Sequence, residues 1–196
     1  MAPRIYIVGG PGSGKTTLAE SLGRHLQLPV LRLDEHLDWR GLQGAVRLER
    51  DNAGHPSDAM LAARTALLVD HLAREGWIVE GAEPVFIDFV AAASDLVVWC
   101  DLPFAMAALR IVRRHVRADL AGTNAFSGYR RLYRFLRSVR QRYSETPPDA
   151  GEQWTRAALR AAIAPHSAKA LRLVGGSPAR NLAEVLDRLS AQLQRR

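Results

Sequence analysis

Residues 5–26 read IYIVGGPGSGKTTLAESLGRHL. An apolar run passes through a glycine-rich turn into a segment with leucines at 18, 22 and 26. The turn, GGPGSGKT (9–16), matches G-x-x-x-x-G-K-S/T in full, in the strand-loop-helix setting that the pattern needs. Its glycines, Gly9, Gly10, Gly12 and Gly14, admit backbone conformations closed to residues with a Cβ. Successive N–H groups can then converge on an anion. The helix that follows adds the partial positive charge of its N-terminus. A chain that begins this way is constrained to lay a strand, a tight anion-cradling loop and a helix in immediate succession.

Lysine usage sharpens the point. The chain has 27 Lys+Arg, and only Lys15 and Lys169 are lysines. Lys15 sits where a compact, rotatable ammonium suits a β- or γ-phosphate better than a planar guanidinium does. Thr16 then offers a hydroxyl to Mg²⁺. The expected ligand is ATP with Mg²⁺. The expected nucleotide-contacting set in the loop is Gly10, Gly12, Ser13, Gly14, Lys15, Thr16 and Thr17.

Five short runs read as strands: 4–9, 29–34, 76–81, 95–101 and 170–175. They are near-continuously apolar rather than alternating, the pattern of strands buried on both faces of a parallel sheet. Helical periodicity lies between them at 15–27, 57–75, 103–117 and 180–194, with Ser57 or Asp58 and Pro103 near helix starts. Strands alternating with helices predict a doubly wound α/β fold. The segments 38–56 and 118–155 break the alternation and are expected as insertions over the carboxyl edge of the sheet, where such folds bind ligands.

Size and composition fit this. One domain spanning 1–196 is expected. No apolar run reaches membrane-spanning length, and the N-terminus leads directly into a strand-like run without a signal-peptide layout. The single cysteine, Cys100, excludes an internal disulfide. A cytoplasmic setting follows as the default. His36, His55, His115 and His166 are scattered and read as surface residues. Trp77 reads as core, and Trp39 could line a pocket.

The stretch from residue 5 to Glu35 resembles the start of the adenylate-kinase-like and shikimate-kinase-like small P-loop kinases. REGWIVEGAEPVF (74–86) resembles their W-I-I/V-D/E-G segment. FAMAALRIVRRHVR (104–117) resembles the arginine-bearing helix that leads into their lid. In layout the whole chain resembles the bacterial "topology modulation protein" subgroup, related to adenylate kinase. The resemblance implies a P-loop fold with a five-stranded parallel sheet in order 2-3-1-4-5, flanking helices and a lid insertion. It also implies transfer of the γ-phosphoryl of ATP to a small acceptor. It assigns Glu80 to the metal's water shell, and Arg110 and Arg114 to the adenine and the transferring phosphoryl group. It makes Asp34 a residue that orients or deprotonates the acceptor hydroxyl. The plainer alternatives are a helix cap for Asp34, and a cap or ion pair for Glu80. Residues 35–75 become the acceptor-binding region and 117–155 the lid. Adenylate kinases follow the acid with Gly-Phe-Pro-Arg; here EGAEPVF carries Glu83 and no arginine, which argues against AMP as acceptor.

Ten arginines stand between residues 110 and 142, with Asp119 the only acid among them. Phe126, Tyr129, Tyr133, Phe135 and Tyr143 are interleaved among them, and three readings compete: a phosphoryl-transfer lid, a solvated helical face, and a nucleic-acid surface with aromatics stacking on bases. Leu132, Phe135, Leu136 and Val139 fall at i, i+3, i+4 and i+7, so Tyr133 and Phe135 read as packing residues. A nucleotide-binding regulator without turnover is a further possibility. Gly175–Pro178 would pass near the adenine, or form a plain turn.

Overall fold

The computed structural model describes residues 2–33, 58–124, 126–146 and 155–194. The strands are β1 (Arg4–Gly9), β2 (Val30–Arg32), β3 (Trp77–Glu80), β4 (Leu96–Cys100) and β5 (Ala170–Leu173). The α-helices of the described residues are α1 (Lys15–Leu26), α2 (Asp58–Leu72), α3 (Ile87–Ala93), α4 (Phe104–Leu120), α5 (Tyr129–Arg142), α6 (Arg156–Ile163) and α7 (Pro178–Leu193). Short 3₁₀ turns precede α3 at Pro84–Phe86 and β5 at Ala164–Lys169.

All five strands run parallel in the order β2-β3-β1-β4-β5. The expected five-stranded sheet is present, with shorter ends: 29–34 contracts to Val30–Arg32 and 170–175 to Ala170–Leu173. Strand periodicity explains why these runs are apolar throughout. Successive side chains face opposite sides of the sheet. Ile5 and Ile7 pack with Leu18, Leu22, Val185 and Leu189 under α1 and α7. Tyr6 and Val8 pack on the other face with Leu68, Val90, Leu159 and Ile163 from α2, α3 and α6. Trp77 is fully buried, as its place in an apolar strand suggests.

The helix ends follow local chemistry. Gly14 is the N-cap of α1, and Gln27 closes that helix in a left-handed conformation. Ser177 caps α7 by accepting from the Arg180 backbone N–H at 3.3 Å, with Pro178 in the first turn. The second lysine, Lys169, donates to the Ser94 and Ala92 carbonyls at 2.7 and 3.1 Å, satisfying orphan acceptors at the end of α3.

The described residues of the segment 118–155 are mostly helical. They contain the end of α4 and all of α5. Leu132, Leu136 and Val139 form the inner face of α5, and Val139 is fully buried. Phe135 and Tyr133, expected to pack, are instead 39% and 68% exposed. Both lie off that inner stripe. His115 is half-buried, not a surface residue. It bonds Asn124 at 3.1 Å and lies 3.1 Å from Asp119. No helix among the described residues is long and apolar enough to cross a membrane.

Candidate active site

Parallel pairing sets the site before any side chain is considered. β1 and β3 run in register from Arg4↔Trp77 to Ile7↔Glu80, so Glu80 ends its strand just before the loop that leaves β1 at Gly9. The loop turns into α1, whose first turn contains no acidic side chain and whose N-cap makes no side-chain hydrogen bond. The N–H groups there remain available to an anion.

Gly14 has φ +94°, a conformation that favours glycine, and Arg110 Nη1 lies 2.9 Å from where a Cβ would stand. The Arg110 guanidinium braces the loop from α4. It donates to the Ser13 carbonyl at 3.0 Å and reaches the Gly176 carbonyl at 3.5 Å. That contact brings the turn after β5 alongside the loop.

Lys15, Thr16, Thr17, Glu80, Arg110 and Arg114 line one cavity of about 470 Å³, together with Gly10, Gly12 and Gly14. Thr16 Oγ1 donates to Glu80 Oε1 at 2.9 Å. Lys15 Nζ lies 3.6 Å from Glu80 Oε2. Glu80 is only 2% exposed, so its carboxylate is held in place by the lysine, the threonine and the strand. The donors offered here are a hydroxyl and a carboxylate, the hard oxygen chemistry that Mg²⁺ prefers. Ser13 behaves differently from its neighbours. Its side chain is buried away from the cavity, and its hydroxyl makes no hydrogen bond. Asp34 lies outside the described residues, as do His36, Trp39 and His55.

Two features of the site escaped the sequence reading. Phe135 and Arg142 of α5 line the same cavity. Their signal was present: Arg131, Phe135 and Arg142 fall at i, i+4 and i+11, a stripe distinct from the packing stripe. Tyr143 carried no comparable signal. Its hydroxyl donates to the Pro11 carbonyl at 3.0 Å, and its ring sits where a Cβ on Gly10 would stand, 2.7 Å away. Burial, and the Asp101 and Cys100 charges, push the Tyr143 phenol well above its ordinary range.

Asp101, just beyond β4, ties the chain after α5 to the sheet. Arg156 donates to it in a two-point contact at 2.6 and 2.9 Å, and Arg172 Nε donates at 2.8 Å. Burial pushes this carboxyl up, but the bonds from Arg156 and Arg172 outweigh it and hold the group below the usual aspartate range. Arg156 also bonds Glu145 at 3.0 Å. Cys100 is buried behind the loop, and its thiol is pushed up to about 12, mainly by burial.

The sequence matches no family model. No curated protein matches it either. Solved structures do share its fold. A gluconokinase from Sinorhizobium meliloti superposes with a TM-score of 0.55 at 15% identity, covering 98% of this chain and 94% of its own. A shikimate kinase from Acinetobacter baumannii, in complex with shikimate, gives 0.53 at 17% identity over 98% and 94%. The shikimate kinase of Aquifex aeolicus gives 0.54 at 17% identity over 97% and 98%. The fold is therefore that of the small P-loop kinases.

Proposed function

We propose that the protein is an ATP-dependent kinase that transfers the γ-phosphoryl group to a hydroxyl of a small molecule. The observation that carries this reading is the joint placement of Lys15, Thr16, Glu80 and Arg114 around one cavity at the mouth of the glycine-rich loop. The loop N–H groups and Lys15 bind the phosphates, and Arg114 meets charge that spreads over the transferring group. Thr16, and Glu80 through water, would hold Mg²⁺, which when bound neutralises charge on the β- and γ-phosphates. The acceptor oxygen bonds to the γ-phosphorus as the bond to the β–γ bridging oxygen breaks. ADP leaves, and the hydroxyl proton passes to a base. Asp34 is the residue proposed for that base, with 35–75 the acceptor-binding region and 117–155 the lid. The gluconokinase and shikimate kinase folds support a hydroxyl acceptor.

The deciding experiment is ADP release from Mg·ATP across nucleoside monophosphates, nucleosides, sugars and hydroxy acids, with Lys15→Ala as control. Acceptor-dependent release that Lys15→Ala abolishes supports the kinase. A flat panel, or full turnover by Lys15→Ala, overturns it.

One observation favours a second reading. Residues 104–143 hold ten arginines and one acid, a net +9, while the whole chain is +7, so the remainder carries −2. Tyr129 and Tyr133 on α5 are 76% and 68% exposed. Such a surface suits single-stranded nucleic acid. It predicts oligonucleotide binding that weakens steeply with salt, and no binding near physiological ionic strength ends the reading.

A further inference from the structure

α4 carries two apolar faces. One turns inward: Ala107 and Ile111 are buried against the glycine-rich loop, and a groove lined by Arg114 and Phe135 lies between the helix and α5. The other turns outward. Met106, Leu109, Val116 and Leu120 are all exposed, Leu109 by 51% and Leu120 by 85%. With Arg113 they fall at i, i+3, i+7, i+10 and i+14. At 3.6 residues per turn that is one line down the outside of the helix. The line ends at the tip of the α4–α5 hairpin, where Phe126 is 57% exposed and the exposed Tyr129 follows. Single exposed aliphatics are ordinary, but a row of them leading to an exposed aromatic marks a contact surface.

Charge narrows what that surface meets. Arg113 stands in the row and Arg117 lies beside it, and no carboxylate among the described residues forms an ion pair with either. The fitting partner is therefore both apolar and negative. Single-stranded nucleic acid would use the arginines and tyrosines but leave the aliphatic row bare, since aliphatic side chains neither stack on bases nor bind phosphate. A second copy lying antiparallel along the row would set the Arg113 charge against its own image. An anionic bilayer satisfies both halves. Aliphatic and aromatic side chains enter the acyl boundary, guanidinium groups stay at the lipid phosphates, and tyrosine sits at headgroup depth. Such a helix lies in the plane of the surface, so the contact needs no membrane-spanning segment.

We propose that the outer face of α4 and the hairpin tip dock on an anionic membrane surface. Leu109, Val116, Leu120 and Phe126 supply the inserted apolar area, and Arg113 and Arg117 meet the lipid phosphates. The proposal stands apart from the kinase reading, because none of these residues lines the phosphate cavity.

Vesicle flotation of the full chain tests it. Vesicles of phosphatidylglycerol and phosphatidylcholine in equal parts should carry the protein up the gradient, and phosphatidylcholine alone should not. Leu109→Gln, Val116→Gln and Leu120→Gln combined should weaken vesicle binding about tenfold or more. Arg113→Gln with Arg117→Gln should do the same by removing two phosphate contacts. All five positions are exposed, so both variants should keep the wild-type thermal midpoint. Failure to float with the anionic vesicles overturns the proposal. So does full binding by the triple variant, which would reduce the contact to charge attraction. Tighter binding of a single-stranded oligonucleotide than of the vesicles gives the face to nucleic acid, and a concentration-dependent dimer abolished by the triple variant gives it to a second copy; either result overturns membrane docking.

Discussion

The Thr16 hydroxyl donates to the Glu80 carboxylate across 2.9 Å, fastening the first turn of α1 to the end of β3. The same carboxylate lies 3.6 Å from Lys15 Nζ. Glu80 thus holds both the cation proposed for the phosphates and the hydroxyl proposed for the metal. Glu80→Gln preserves shape and removes charge. It should lower kcat by about 10²–10³-fold, the usual effect of deleting one preorganised electrostatic contact. ATP affinity should change only a few-fold, and the Mg²⁺ concentration for half-maximal rate should rise. Steady-state rates across a Mg²⁺ titration check this. Wild-type kcat with an unchanged Mg²⁺ requirement would mean that the pair is purely structural.

The loop is the second test. Lys15→Arg keeps the charge but replaces a compact ammonium with a planar fork. It should fail nearly as badly as Lys15→Ala, each losing about 10²-fold or more in kcat/KM. Calorimetric ATP binding beside ADP-release kinetics reads both effects. Near-normal turnover by the arginine variant would show that the lysine's geometry is not what the site uses.

How much of this was legible beforehand follows a physical division. The strands, the loop and α1 are written in local sequence, because burial on both faces and φ > 0 turns each demand particular residue types. Glu80 was found because residues 74–86 resemble the W-I-I/V-D/E-G segment of the small P-loop kinases, and parallel register then places that strand end beside β1. Tyr143 was not, because its contact with Pro11 joins residues 132 apart and leaves no periodic trace. Asp101 went unnoticed for the same reason, since its partners Arg156 and Arg172 come from two later elements. Phe135 was misread because it was drawn into the apolar stripe of α5, whereas it lies at that stripe's edge, 39% exposed, and lines the cavity with Arg142.

Tyr143 locks the chain after α5 onto the loop. Tyr143→Phe deletes one partly buried hydrogen bond and should cost about 1 kcal/mol, seen as a lowered denaturation midpoint with an unchanged denaturant slope. Gly10→Ala should be worse, because its methyl would stand 2.7 Å from the Tyr143 ring. Pairing it with Tyr143→Ala should recover ATP affinity lost in the single variant. Absence of that recovery would place the defect in the loop backbone itself.

Asp101 supplies a pH signature. Its folded-state pKa is held below the unfolded value. The unfolded chain therefore binds its proton first as pH falls. The stabilisation is complete above the ordinary aspartate value of about 3.9 and disappears as pH falls through the lowered pKa. Asp101→Asn should destabilise the protein at pH 7 by about 2–3 kcal/mol, less than a fully buried pair because Arg172 is half exposed. The gap between variant and wild type should narrow below pH 4. A gap of constant size from pH 7 to pH 3, measured by urea unfolding, would assign the effect to packing instead.

Arg110 and Arg114 are one helical turn apart, and the sequence treats them alike. The structure separates them. Arg110 spends its two terminal nitrogens on the Ser13 and Gly176 carbonyls, so it shapes the loop and the turn after β5. Arg114 is exposed to both the phosphate cavity and the α4–α5 groove, and no carboxylate among the described residues pairs with it. Arg110→Ala should therefore weaken ATP binding and lower stability together, with KM for ATP rising more than kcat falls. Arg114→Ala should leave stability and ATP affinity within about twofold of wild type and reduce kcat by about 10²–10³-fold, because its charge is matched to the transferring group and not to the bound substrate. Thermal unfolding with and without Mg·ATP, beside the kinetic split, distinguishes the two. Equal effects of both substitutions on stability would return Arg114 to a bracing role and leave Lys15 as the only cation assigned to the reaction.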